Sequence, residues 1–485
     1  VSLQLKIGGE NVLTDLSFLN VGEVFPPVGE NERLQLYRTN RELFKGNHTE
    51  VFKDQFKRIQ RVIGNFDQVI SYETLINYHK LVSVKTADLL LGEFPRIVAG
   101  EEDSPEQKAV SKIIQNTDLI NTAYQVALDV SRFGDGLFQV YKEGNKGFID
   151  ISQPCYWFPV VKPDNVKRIQ HNVLAYTYEY NDESYLKVQI HSKGSYEENL
   201  YRLEKGMTNY TIKGLISTNT YKTGLNDFAV IQVPNLTTSD TIFGMDDYLD
   251  LNTIISELEV RVSQVAKILD KHSDPSLEGS INALEQDPHT GEWKLKLGNF
   301  IVRDKEEPET KYLTWDGQLE ANFKFIDKLI NILYTVSEMG SAVFGDLTGS
   351  KASGGNVMSG NALKKLMISP LAKVRRIAMR FETALKKSIV LCSQLGGEGI
   401  VDLSNTNISI YWNDGLPIDT KEQADEMAIR TGNKPTISRI TAIKQMNNLS
   451  DKDAQIELDR IDEDEAKMNP IGGQNFPSGS QNIDE

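Results

Sequence analysis

Through roughly the first 130 residues, apolar positions recur every three or four residues, the period of helices with one buried face. Asn31 to Gly46 carries this pattern and stops at a glycine. Glu73 to Leu91 is more regular, with Leu75, Tyr78, Val82 and Leu89 on one face and Gly92 as the stop. Ser104 before Pro105 predicts another helix start, because proline suits the first helical position. The pattern then continues through Ile113, Leu119, Tyr124, Ala127 and Val130. At Phe133-Gly134-Asp135-Gly136 the period changes to two. Leu137 to Tyr141, Gly147 to Ile151, Val173 to Tyr180, Tyr185 to His191, Asn199 to Leu203 and Phe228 to Val233 read as short strands of an antiparallel sheet.

Helical period returns at Met245 and runs to about Asp270. Leu251, Ile254, Leu258, Val262, Val265 and Leu269 form its apolar face, and Asp246, Asp247, Asp250, Glu257 and Glu259 predict an acidic one. His272 to Pro275 breaks the helix. Ser276 to Asp316 reads as β-like, with strands at Trp293 to Leu297 and Phe300 to Val302. From Leu319 a second long stripe follows through Ile326, Leu329, Leu333, Val336, Met339 and Val343. Gly345 to Gly360 reads as a loop rich in glycine, which is costly inside regular elements. A third stripe runs from Leu363 to Cys392, and Pro370 predicts either a kink or a restart with Ser369 as N-cap. Ile408 to Trp412 reads as a strand. Thr420 with Gln423 predicts a capping box for a helix through Arg430. Two shorter helices follow, Ser438 to Met446 and Asp451 to Lys467, and then a tail rich in Gly, Pro, Ser and Asn. The pattern is that of an α+β chain.

The chain has 485 residues, 39% hydrophobic and 25% charged, the composition of a folded chain of roughly two to four domains. Lys and Arg total 53 against 68 Asp and Glu, a net charge of −15. That balance argues against a protein that coats nucleic acid by neutralising phosphates. Val1 to Lys6 lacks the charged-then-apolar order of a signal peptide, and no apolar run is long enough for a membrane span. The two cysteines, Cys155 and Cys392, have no paired spacing, which fits a reducing compartment; Cys392 falls on an apolar stripe as a core residue.

Catalytic and metal signatures are missing from the sequence. No two of His48, His79, His171, His191, His272 and His289 have ligand spacing, and no Gly-x-Ser-x-Gly occurs. Gly345 to Lys351 approaches a phosphate-binding loop, but only three residues separate its glycines and Ser350 precedes the lysine. Asp462 to Glu465 point in different directions on a helix and read as a solvated acidic end.

Four stretches, in this order, resemble the portal proteins of long-tailed (siphovirus-type) double-stranded DNA bacteriophages. They are Tyr78 to Pro95, Arg132 to Tyr141 with Trp157-Phe158-Pro159, Val343 to Leu363, and Tyr411 to Asp419. The resemblance implies a non-enzymatic ring subunit, usually one of twelve. It implies a wing of residues 1–236 and 361–416, and stem helices in 237–273 and 317–344. A clip would occupy 274–316, a tunnel loop 345–360, a crown 417–468 and a flexible tail 469–485. Thr348, Ser350, Lys351, Ser353 and Asn356 would face DNA from the tunnel loop. Asp250, Glu257, Lys267, Glu320, Lys324 and Lys328 would line the channel, and Trp293, Lys294 and Lys296 would serve docking at the clip. No cofactor or metal is implied. The implied partners are double-stranded DNA, the terminase large subunit, a head–tail adaptor, and scaffolding and major capsid proteins. The implied location is the capsid vertex, after assembly in the bacterial cytoplasm. Two other readings stay open: a nucleotide-binding enzyme with a degenerate phosphate loop, and a different minor virion protein.

Overall fold

A computed structural model describes residues 5–7, 10–58, 61–62, 69–70, 73–273, 277–278, 284–286, 288–295, 311–312, 319–345, 365–412, 420–432, 434–447, 449 and 451–468. The chain is α+β and divides into two compact units. One holds Val1–Gly355 with Lys365–Gly415; the other holds Asn356–Lys364 with Leu416–Glu485.

In the first unit four longer helices precede most of the strands: α1 (Asn31–Lys45), α2 (Tyr78–Leu91), α3 (Pro105–Asn116) and α4 (Leu119–Phe133). Their starts and stops follow local chemistry. Asn77 accepts the Lys80 N–H and begins α2, later than the apolar pattern predicts; Ser104 accepts the Gln107 N–H ahead of Pro105. Gly46 and Gly134 end α1 and α4 at φ +93° and +81°.

Strand β1 (Val24–Phe25) lies ahead of α1. Strands β2 (Asp135–Glu143), β3 (Lys146–Ile151), β4 (Trp157–Lys162), β5 (Asn165–Tyr180), β6 (Glu183–Ser192), β7 (Ser195–Lys205), β8 (Tyr210–Lys222) and β9 (Val230–Pro234) follow α4. They form a six-stranded sheet ordered β1-β8-β7-β6-β5-β4 and a three-stranded sheet ordered β9-β2-β3. The alternation of β6 turns Leu186, Val188 and Ile190 to one face. There they join Phe158, Val173 and Leu203 in a core closed by Leu13, Phe18 and Phe25.

The second core is helical. The longest helix, α7 (Ile368–Gln394), comes late in the chain yet packs among α2, α3, α4 and the three-stranded sheet. Its buried residues Phe381, Leu385, Ile389 and Cys392 recur at helical spacing, and Phe381 meets Phe138 edge-on at 5.7 Å. The third stripe restarts beside Pro370, as one of the two expectations had it, but with Met367 and not Ser369 at the N-cap; Pro370 then lies in the first turn of α7, where its missing N–H has no partner to lose. Ser409–Tyr411 then pairs with Arg96–Val98, which fastens the returning chain to the N-terminal region.

The motif at Phe133 to Gly136 is the joint between helices and sheet. A Cβ on Gly134 or on Gly244 would collide with the other's carbonyl, so both positions require glycine. Buried Asp135 ties this joint. It accepts from the Gln232 amide (2.7 Å), the Gly244 N–H (3.1 Å) and the Tyr37 hydroxyl (3.2 Å), and burial raises its carboxyl to about 7.

The second unit contains α8 (Thr420–Thr431), α9 (Arg439–Asn447) and α10 (Asp451–Met468), with Met427, Ala442 and Ala454 buried. Arg439 reaches Asp462 (3.2 Å) and Glu465 (2.8 Å), three residues apart on α10, while Glu463 and Asp464 stay exposed. The acidic run is a helix surface.

Candidate channel helices and their anchorage

Two further helices of the first unit are α5 (Asn252–Ser273) and α6 (Leu319–Val336). Between them the chain forms two short antiparallel pairs, Leu277–Glu278 with Lys311–Tyr312 and Leu284–Gln286 with Trp293–Leu295. Helix α5 begins later than the apolar pattern predicts. Asp246 accepts the N–H groups of Tyr248 (2.8 Å) and Leu249 (2.9 Å), a side-chain turn that keeps Met245 to Leu251 out of the helix.

Helix α5 is held by its polar side chains as well as its apolar ones. Glu259 is fully buried. Its Oε1 lies 2.6 Å from Nδ1 of buried His48 and accepts the Ile76 N–H (2.9 Å). The other nitrogen of His48 faces the Leu43 carbonyl at 3.1 Å, so both ring nitrogens meet acceptors. Two turns nearer the start of α5, His79 Nε2 is 2.9 Å from Asn252 Oδ1, and burial with the neighbouring His48 pushes its imidazole down to about 3. Ser263 accepts the Thr74 N–H (2.9 Å). Glu257 pairs with Arg58 (2.6 Å) and Arg261 (2.7 Å). The expected acidic face is therefore not a free surface: Glu259 has no exposure, and Glu257 is neutralised.

The near ends of both helices meet at Lys373 of α7, a lysine that is 5% exposed. Its ammonium lies 3.0 Å from Asp247 Oδ1, ahead of α5, and donates to the Ser337 carbonyl (3.2 Å), just past α6. A cation suits the carbonyl end of a helix. Asp247 also accepts from Ser131 (2.6 Å) and Asn235 (3.0 Å), so the buried cation has a fully engaged partner. The second stripe, expected to run on to Val343, breaks here. Glu338 adopts φ +58° and Gly340 φ +67°, and Gly340–Val343 forms a separate single turn.

Helix α6 has three sectors. Leu329 and Leu333 are buried, Leu333 in a cluster with Leu251, Ile255 and Val82. A second sector carries Glu320, Lys324 and Lys328, four residues apart and all exposed, and continues to Asn331 and Thr335. The third is apolar and open: Phe325, whose ring carries the Arg261 guanidinium at 5.4 Å, Ile332 and Val336, seven and four apart, are 38%, 38% and 41% exposed, while Phe323, 47% exposed, is open on the other flank of the polar stripe.

The expected channel residues therefore separate. Glu320, Lys324 and Lys328 share one open stripe, with Glu320 and Lys324 paired at 2.6 Å. Asp250 is exposed but precedes α5, where it borders a cavity of about 450 Å³ with Val336, Glu338, Lys373, Arg376 and Arg380. Glu257 is held by two arginines, and Lys267 is half-buried. Trp293 and Lys294 lie on the short Trp293–Leu295 strand. Lys296 and the loop residues Thr348, Ser350, Lys351, Ser353 and Asn356 lie outside the described residues, as does the expected strand Phe300 to Val302. Sequence reading found no role for His48 or His79, placed Glu259 on an acidic face and did not single out Lys373, because a local period does not tell which polar side chain a distant partner buries.

No described helix is long and apolar enough to cross a membrane. No curated protein sequence matches the chain. A family model described as "Phage portal protein, SPP1 Gp6-like" matches residues 28–470, which takes in every helix from α1 to α10 and the whole of both major sheets except the residues before 28. The chain belongs to that family of phage portal proteins.

Proposed function

We propose that this chain assembles into a closed ring at the capsid vertex of a long-tailed phage and conducts double-stranded DNA without chemistry of its own. The three-sectored surface of α6 carries this reading. One sector packs on its own subunit. The open apolar stripe of Phe325, Ile332 and Val336 suits the next subunit, since contiguous exposed apolar residues mark contact surfaces. The polar stripe of Glu320, Lys324 and Lys328 then faces the channel, where mixed charge permits passing contact with phosphate and no firm grip. In this reading α5 and α6 are the stem and the segment between them is the clip, which docks the terminase motor and later the head–tail adaptor. Residues 345–360 are the tunnel loop, 417–468 the crown, and the remaining unit the wing that meets scaffolding and major capsid proteins. ATP hydrolysis belongs to the separate motor.

Negative-stain electron microscopy of the purified protein tests this. Rings with a central hole wide enough for a duplex are expected, with twelve subunits as the expected count. Compact monomers or dimers that stay so with scaffolding and major capsid proteins added would sink the reading.

A further inference from the structure

Away from the stem, a cavity of about 190 Å³ lies between α1 and the six-stranded sheet. Phe25, Leu34 and Phe158 supply apolar lining, and Tyr156, Tyr176 and Tyr210 supply aromatic rings with hydroxyls. Two arginines of α1, Arg38 and Arg41, line it one helical turn apart.

These two arginines differ from their neighbours. Arg33 on the same helix pairs with Glu30 (2.6 Å), Arg58 with Glu257 (2.6 Å) and Arg132 with Asp129 (2.6 Å). Among the described residues no carboxylate pairs with Arg38 or Arg41. Arg41 reaches only the Gln153 amide oxygen and the Cys155 sulfur, each at 3.3 Å, and Arg38 is exposed. In a chain with 68 acids against 53 bases, two guanidiniums at one cavity with no carboxylate in contact leave both forks open to an anion, while Asp129 and Glu42 act on Arg41 only through space.

The lining selects among anions. A duplex requires a broad basic face, whereas this cavity holds one or two side chains. A guanidinium fork binds a carboxylate through two parallel hydrogen bonds, and tyrosines are the residues that interfaces favour. We propose that this groove docks a segment of a partner protein that carries a carboxylate beside an aromatic residue. Arg38 and Arg41 hold the carboxylate, and Tyr156 and Tyr176 pack the aromatic ring.

The test uses the full chain, fluorescently labelled, on an array of random octapeptides. Bound peptides are expected to be enriched in Asp or Glu next to an aromatic residue. Arg38→Gln with Arg41→Gln should erase that enrichment, weakening selected peptides at least about tenfold, the loss of one strong charge-assisted contact. Arg38→Lys with Arg41→Lys, which keeps charge without the fork, should weaken them less. Both doubles should stay folded with a melting temperature close to wild type, because Arg38 is exposed and Arg41 gives up only two long hydrogen bonds. Selected peptides should also slow alkylation of Cys155, with no background from buried Cys392. Peptides without acidic enrichment, or enrichment that survives the glutamine pair, would overturn the proposal. So would a labelled duplex whose binding, in place of peptide binding, depends on these arginines. Loss of rings in the glutamine pair without any peptide effect would assign the groove to a second copy of this chain and equally overturn it.

Discussion

Helices α5 and α6 look alike in sequence and differ in what holds them. Both show an apolar residue every three or four positions and a mixed-charge remainder. In α5 the remainder is spoken for: Asn252, Glu257, Glu259 and Ser263 all bind residues between His48 and His79. In α6 the polar remainder faces solvent, and part of the apolar stripe does too. A helical period reveals that a face exists. It does not reveal whether the same subunit covers it. The α5 surface is covered within one chain as far as Val265, with Leu269 left open near its end, while α6 leaves an apolar stripe along its length for another.

The largest expected effect falls on α5. Glu259→Ala removes one partner of a fully buried pair and leaves His48 facing an empty acceptor site. Such truncations cost about 3–5 kcal/mol. Urea denaturation at pH 7 measures this, and a loss under about 1 kcal/mol would remove the distinction between the helices. Lys373→Met should approach that cost, because it strands Asp247 in the same interior.

Next in size are two opposed titrations. Burial and the adjacent His48 hold His79 near 3 in the fold, against about 6.5 unfolded, so the unfolded chain binds more protons between those values. Its contribution to stability is therefore whole above pH 6.5 and falls with acidification, by about 2 kcal/mol at pH 5. Asp135 works the other way. Burial raises it to about 7 from 3.8, so its contribution is whole below pH 3.8 and is lost as pH rises through 7. Between pH 8 and 5 that returns about 2–3 kcal/mol, and buried Asp129, raised to about 6, acts in the same direction. From these three groups the native chain should thus gain stability from pH 8 to pH 5, because the two aspartates together outweigh His79. His79→Leu should become more stable at pH 5 than at pH 8, and Asp135→Asn should lose stability over the same range. Denaturation midpoints at the two pH values read both.

Much of this architecture was legible as periodicity, since α1, α4, α7 and the strands β3 and β6 follow patterned burial. Strand β8 was not. Gly214, Thr218, Asn219 and Thr220 interrupt any alternation, and most of its side chains are exposed, so register with β7 decides it. Strand β4 was hidden for the opposite reason: Trp157 to Val161 is buried on both sides and carries a proline. The break after α6 depends on Glu338 in a left-handed conformation, beside Arg376 and Lys373. A stripe that continues through Met339 to Val343 conceals such a break. The anchoring of α5 rests on residues far apart in sequence, such as Ile76 and Glu259, 183 positions apart, and no local pattern encodes that pairing.

The smallest effects on the single subunit belong to α6, and they separate its two open stripes. Lys324→Gln breaks an exposed pair with Glu320 that is worth at most about 0.5 kcal/mol. Ile332→Glu changes a side chain that is 38% exposed, and surface substitutions of this kind stay within about 0.5 kcal/mol. Urea denaturation of the unassembled chain should hardly distinguish either variant from the parent. Assembly should distinguish them from each other. A charge on the apolar stripe is desolvated without a partner once a second subunit covers it, so Ile332→Glu should sediment as monomer where Lys324→Gln sediments as the parent assembly. If Lys324→Gln dispersed the assembly and Ile332→Glu did not, the two stripes would exchange roles: the polar one would meet the neighbour and the apolar one would line the channel.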